Sequence, residues 1–149
     1  TPIETARALS VLANGGTLIT PHLVKEIKYK IGPSKTIHYP SLDERERVIS
    51  EETSAGISKM LVEVVDQSLR FGQMRLENYS IAAKTGTAQI GVAKDEVNSW
   101  VVGFWPLDDP KYAYAIVMEK GSKNNQFGAV LVMQEFFDWT HIFAPEYLD

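Results

Sequence analysis

The 149-residue chain contains no cysteine. Disulfides, thiolate metal sites and cysteine nucleophiles are thereby excluded together, while the redox compartment stays open. No uninterrupted apolar run comes near the roughly 18 residues needed to cross a bilayer, and no charged-then-apolar stretch of signal type is present, so a soluble body is expected. Positive charge is not in excess: 15 Lys and Arg against 19 Asp and Glu give a net charge of −4, which argues against a nucleic-acid surface or a polybasic membrane contact. Histidine is scarce, and His22, His38 and His141 stand far apart with no His-x-x-x-His pair or acidic cluster, so no metal site and no cofactor are expected. Ten Gly and seven Pro are too few for a collagen-like or low-complexity chain.

What is present is ordinary for a folded domain, with 44% hydrophobic and 23% charged residues. A chain of this length is expected to form one core and to bury roughly 70% of its unfolded surface. Thr1 suits an N-cap, Pro2 the first helical position and Glu4 a capping-box carboxylate, which predicts a helix ending at Asn14-Gly15-Gly16. Thr1 as an N-terminal nucleophile is the weaker alternative. Gly15-Gly16 lacks the Lys-Ser/Thr continuation of a phosphate loop and reads as a helix C-cap. Residues 17–30 carry β-branched side chains with partial alternation at Val24, Ile27 and Tyr29, predicting extended structure interrupted at Pro21. A surface connection follows to about Val48, with Asp43-Glu44-Arg45-Glu46-Arg47 as a solvated charged turn.

Ser50-Glu51-Glu52 opens an amphipathic helix with Ile57, Met60, Leu61, Val64 and Val65 on one face and Glu63, Asp66 and Gln67 turned away. Residues 79–90 are β-like. Residues 100–105 are apolar on both faces and predict a central strand. Its Trp100, Phe104 and Trp105 read as core, with one ring near a site rim, rather than as a sugar-stacking platform. A turn at Pro106-Leu107-Asp108-Asp109-Pro110 and a strand at 112–119 complete an antiparallel hairpin. Residues 120–126 form a polar loop. Residues 128–143 form a last helix, apolar through Val130, Leu131, Val132, Met133, Phe136 and Phe137, which is expected to pack on a sheet rather than lie on a membrane surface. Helix, strand, helix, three strands, helix is an α+β arrangement with an antiparallel sheet packed by helices.

The segment with chemical content is Lys84-Thr85-Gly86-Thr87-Ala88-Gln89. A cation, two hydroxyls and a glycine on one short strand can together hold a carboxylate. Strand alternation puts Lys84 and Gly86 on one face and Thr85 and Thr87 on the other. Glycine admits close approach of a ligand or backbone, and free N–H groups of such a strand can pair with an extended peptide. From the residue types alone, an exposed strand with a solvated lysine is the favoured reading, because Lys-Thr-Gly is a short pattern.

The wider context discriminates. Lys-Thr-Gly-Thr-Ala-Gln is followed by Ser99-Trp100-Val101-Val102-Gly103-Phe104-Trp105-Pro106. It is preceded by Thr1-Pro2-Ile3-Glu4-Thr5-Ala6-Arg7-Ala8, by Leu12-Ala13-Asn14-Gly15-Gly16 and by Thr20-Pro21-His22-Leu23-Val24. In that order, along almost the whole chain, the sequence resembles the penicillin-binding protein transpeptidases, especially the monofunctional class B kind. The resemblance implies the second half of a penicillin-binding/serine β-lactamase-like transpeptidase domain. Its chemistry would be serine acyl transfer from the D-Ala-D-Ala end of a peptidoglycan stem peptide, with β-lactam antibiotics bound at the same place. By the same resemblance Lys84 supplies positive charge, Thr85, Gly86 and Thr87 meet the substrate or β-lactam carboxylate, and the Thr87 N–H is an oxyanion donor.

The departures matter equally. The sequence contains no Ser-x-x-Lys, because Ser80 and Lys84 are one residue too far apart, so no nucleophile is assigned within this chain. Ser122-Lys123-Asn124 has the letters of the family's Ser-x-Asn but follows Lys-Thr-Gly and reads as a chance match. Ala83 stands where the family often has glycine, and Phe71-Gly72-Gln73 replaces a usual Gly-Thr-Gly or Gly-Thr-Ala turn. A family domain is about twice as long, so residues 1–149 are expected to be its C-terminal portion, inactive alone. The N-terminal remainder of the same protein would complete the site and carry a membrane anchor at the extracytoplasmic face of the bacterial inner membrane. Cell-wall elongation or division proteins are the implied partners, with a lean to elongation from Lys-Thr-Gly-Thr-Ala-Gln and Pro21-His22-Leu23-Val24. A non-catalytic module that captures a peptide carboxylate or partner strand, and a β-lactamase or β-lactam-sensor fragment, remain alternatives.

Overall fold

The computed structural model describes residues 1–24, 26–37, 39, 45–69, 79–90, 95–125 and 128–148. Helix α1 spans Pro2–Ala13, with Thr1 and Glu4 forming the expected capping box. It stops where Gly15 and Gly16 take φ of 77° and 108°. Gly16 is obligatory twice over, since a Cβ there would also collide with the Ile49 carbonyl. Its N–H and C=O tie α1 to the chain entering the next helix, through Val11 on one side and Val48 and Ile49 on the other.

The extended stretch predicted for residues 17–30 is a correction. Among the described residues of that stretch only Glu26–Ile27 (β1) pairs as a strand, with Lys35–Thr36 (β2), and Thr17 makes an isolated bridge to Arg47. Val24, Ile27 and Tyr29 are exposed, so their alternation has no core to face. His38 and the Asp43-Glu44 half of the charged turn lie outside the described residues.

Helix α2, Glu51–Glu63, begins at the Ser50 cap, whose hydroxyl accepts from the Thr53 N–H, and continues as a π-helical turn over Val64–Leu69. Its predicted apolar face is only partly used. Leu61 and Val65 are buried, but Ile57 and Met60 are exposed. The Phe71-Gly72-Gln73 turn lies outside the described residues.

Strands β3 (Ala82–Gln89), β4 (Glu96–Trp105) and β5 (Tyr112–Ser122) form an antiparallel sheet in the order β3-β4-β5. The apolar 100–105 segment lies on the central strand, as its two-sided pattern predicts. Against one face pack α1 and the end of α2, with Ala82 and Phe104 meeting Leu9, Leu12 and Leu61. Against the other packs α3, Gly128–Phe143, where Met133 and Phe137 are fully buried on Ala83, Val101, Trp105 and Tyr114. Gly128 has φ 45° and no room for a Cβ beside the Ser99 hydroxyl, which accepts the Ala129 N–H at 3.0 Å. One β4 side chain thereby anchors the start of the helix that covers its own sheet. Leu131 and Val132 face out rather than onto the sheet, Phe136 is exposed while its ring meets Trp105 edge-to-face, and with Trp139, Ile142 and Phe143 they leave apolar surface on α3 exposed.

Two stability predictions follow from the sheet. At Gly103 a Cβ would meet the Ala82 carbonyl and come within 2.6 Å of the Tyr114 hydroxyl. In the complete protein Gly103→Ala is expected to cost about 2 kcal/mol or more, read as a lowered denaturation midpoint. Second, the buried Tyr79 hydroxyl donates to Asp138 at 2.6 Å, beside the rings of Phe137 and His141. Burial first, and the Asp138 carboxylate second, push its pKa up to about 12 from the ordinary 10. Folding therefore favours the neutral phenol, whose stabilisation is complete below pH 10 and is lost as pH rises toward 12. Thermal melts between pH 9 and 12 should show a steeper loss for the wild type than for Tyr79→Phe; parallel curves would refute this.

Candidate active site

Antiparallel pairing places Lys84 opposite Val102, Thr85 opposite Val101, Gly86 opposite Trp100 and Thr87 opposite Ser99. Directly paired residues share a face. Lys84 and Gly86 therefore lie on the α1 side with Phe104, and Thr85 and Thr87 on the α3 side with Ser99 and Val101. This is the division that alternation predicts. Lys84, Gly86 and Thr87 are exposed and Thr85 is half-buried, whereas Ala82 and Ala83, which begin the same strand, are fully buried.

Among the described residues β3 is an edge strand, and the ladder shows which backbone groups reach that edge. The Ile90 N–H donates to the Glu96 carbonyl at 3.3 Å, one step beyond the paired Gln89 and Val97. In an antiparallel ladder successive residues turn alternately to the partner and away from it. The even-numbered residues of β3 therefore bond β4, and Thr85 and Thr87 turn N–H and C=O outward. The Thr85 carbonyl accepts the Lys84 ammonium at 2.9 Å, as an outward carbonyl can. Lys84, Thr85, Gly86 and Thr87 thus assemble on one open edge: a cation, two hydroxyls and two outward backbone N–H groups. Such an edge can bind a carboxylate and pair with an extended peptide.

Nothing among the described residues requires a glycine at position 86. Its φ is not positive, and an added Cβ would make only ordinary contact, 3.6 Å, with the Trp100 Cβ. Phe104 and Trp105 are buried as core. Trp100 is half-buried, and register puts it on the Lys84 face with Val102, Ala115 and Val117. The sequence identifies Trp100 only as one of three aromatic residues, because its place beside Gly86 depends on strand register.

Other candidates do not converge here. Ser122-Lys123-Asn124 turns at the end of β5, opposite Glu96. Glu96 is six residues along β4 from Val102, the partner of Lys84, or roughly 20 Å. The Asn124 N–H there donates to the Ser122 hydroxyl, and Lys123 pairs with Asp95 at 3.0 Å. His22 stacks on Tyr39 and His141 lies against Tyr79. No group of three or more metal-ligating side chains occurs among the described residues. No helix among them is long and apolar enough to cross a membrane. The clefts beside α1, of about 360 Å³ against Tyr112 and about 630 Å³ against α2, do not include the strand edge.

A model of the penicillin binding protein transpeptidase domain matches residues 1–137. Stage V sporulation protein D of Bacillus subtilis is 36% identical over 137 residues, covering 88% of this chain and 21% of that protein. Peptidoglycan D,D-transpeptidase PbpA of Mycolicibacterium smegmatis is 30% identical over 124 residues, covering 81% of this chain and 24% of its own length. The chain thus spans about a fifth to a quarter of the curated relatives it matches. In three dimensions it is similar to penicillin-binding protein A from M. tuberculosis in its penicillin G acyl-enzyme complex, with TM-score 0.66, 25% identity, and coverage of 93% of this chain and 31% of that one. The chain belongs to the penicillin binding protein transpeptidase domain family, on the class B side that its motifs indicate.

Proposed function

We propose that the chain is the C-terminal portion of a peptidoglycan D,D-transpeptidase domain and supplies the Lys84–Thr87 edge of its acyl-transfer site. The observation that carries this is the outward parity of Thr85 and Thr87 beside Lys84 on an open strand edge, within a family match that spans residues 1–137. A D-Ala-D-Ala stem peptide would lie along that edge, its carboxylate on the Thr85 and Thr87 hydroxyls near the Lys84 cation. The Thr87 N–H would face the carbonyl oxygen that gains charge in the tetrahedral state.

The nucleophilic serine, its lysine and the Ser-x-Asn element would come from the remainder of the protein, since Ser-x-x-Lys is absent from these residues. The exposed apolar surface of α3 supports a larger parent domain, because large apolar residues such as Val132, Trp139 and Phe143 beyond the sheet-facing side of a helix are ordinarily covered by a further element. β-Lactams would acylate the same serine. The extracytoplasmic face of the inner membrane, alongside elongation or division proteins, is the setting this function requires.

The test is covalent labelling of the complete protein with a fluorescent penicillin, read on a denaturing gel and as an acylation rate. The wild type is expected to label, the 149-residue chain by itself to stay unlabelled, and Lys84→Ala to label on the order of 100-fold more slowly. Ser122→Ala is expected to label like the wild type. Wild-type labelling rates in Lys84→Ala would remove Lys84 from the site. A complete protein that never labels but still binds stem peptide would instead support a non-catalytic binding module.

A further inference from the structure

We infer that Trp100 is a specificity-determining residue of this site, the floor on which the apolar group beside the ligand carboxylate rests; the inference rests on the acyl-transfer reading above. An extended ligand added along β3 would lie two strand spacings from β4, roughly 9.6 Å. Side chains bridge that gap only if the residue between them is small and the residue beyond is large. At one point of the edge both conditions hold: Gly86 has no side chain, and its cross-strand partner is an indole on the same face. One step along that face stands Lys84, backed by Val102.

Three features of the chain agree. Glycine at position 86 is required neither by φ nor by crowding among the described residues, so its missing side chain leaves room for whatever approaches the edge. Trp100 is half-buried, whereas Phe104 on the same face is fully buried in a cluster with Leu9 and Leu12 of α1. The cross-strand neighbour of Trp100 on the other side is Val117, also half-buried. Lys84, Gly86, Trp100 and Val117 thus form a surface that is cationic at the strand edge and apolar behind it. The ligand chemistry that fits is a carboxylate with a small apolar group on its own or the adjacent carbon, such as the methyl of a D-alanine or the two ring methyls of a penicillin.

Acylation rate constants of the complete protein for penicillin G and for its bisnor analogue, which lacks those two methyls, test this. The wild type is expected to favour penicillin G about tenfold. Trp100→Ala should bring the ratio to within about twofold of unity, Trp100→Phe should retain most of it, and Gly86→Ala, whose methyl would stand between ligand and indole, should lower it. Gly86→Ala also keeps the inference testable if Trp100→Ala fails to fold. Lys84→Ala should slow both compounds alike. A Trp100 that merely packs the sheet would lower both rates by one factor and leave the ratio unchanged, and that result, or a wild type without preference, overturns the inference while leaving the acyl-transfer reading standing. Failure of the wild type to react with either compound overturns the acyl-transfer reading itself.

Discussion

The pairing of β3 with β4 in a single register governs what the chain can present. A slip of one residue would exchange the faces of Lys84 and Thr85 and turn the N–H of Gly86, in place of those of Thr85 and Thr87, to the open edge. Burial on both faces holds the register. Ala82 and Phe104 sit under α1 and α2, while Ala83 and Val101 sit under α3. Gly103 permits the close approach, since the Ala82 carbonyl and the Tyr114 hydroxyl occupy the space a side chain would need. The Tyr114 hydroxyl also reaches Met133 Sδ at 3.1 Å, tying β5 to α3 at the same level.

From that buried end β3 runs outward. Ala82 and Ala83 are inaccessible, Thr85 is half-covered, and Gly86 to Gln89 are exposed. The strand is fixed at one end and available at the other, so its edge groups need no ligand to be arranged. The far end of the sheet has its own constraint, a bulge in which two residues of β5, Glu119 and Lys120, stand against the single Asn98. Lys120 takes φ 54°, and its N–H is held by the Asn98 side chain at 3.0 Å. Beside it Ser99 and Asn125 accept the Ala129 and Gly128 N–H groups that start α3. The helix is thus docked to β4 next to the paired Thr87.

Much of this was readable from local chemistry. Thr1-Pro2-Ile3-Glu4 marks the start of α1, Ser50 the start of α2, and Gly128 the start of α3, because caps and glycines act within a few residues. Lys84 to Thr87 stand out as candidates through the family resemblance, and because they are contiguous, alternation sorts their faces as the ladder does. What was not readable depends on contacts distant in sequence. Periodicity shows that Ile57, Met60, Leu131 and Val132 lie on apolar stripes but not what covers those stripes, and these residues are exposed here. The alternation in residues 17–30 promised a strand, yet among the described residues the chain there pairs as a strand over Glu26–Ile27 alone. Trp100 could not be separated from Phe104 and Trp105 until pairing set it opposite Gly86.

An edge strand divides binding labour in a way that a pocket does not. The outward N–H and C=O groups of Thr85 and Thr87 belong to the backbone, so side-chain substitution leaves them in place and any extended peptide can use them. Such groups give affinity without choosing a ligand. Choice falls to the few side chains that reach the same edge, and here they are of two kinds. Lys84, whose ammonium rests on the Thr85 carbonyl at 2.9 Å, favours an anion, since a carboxylate is a stronger acceptor than the neutral carbonyl it would displace. The Thr85 and Thr87 hydroxyls can donate to the same anion from the other face. Neither kind would measure what lies beside the carboxylate; among the described residues of the lysine face, the gap at Gly86 with Trp100 behind it is the feature proposed to do so.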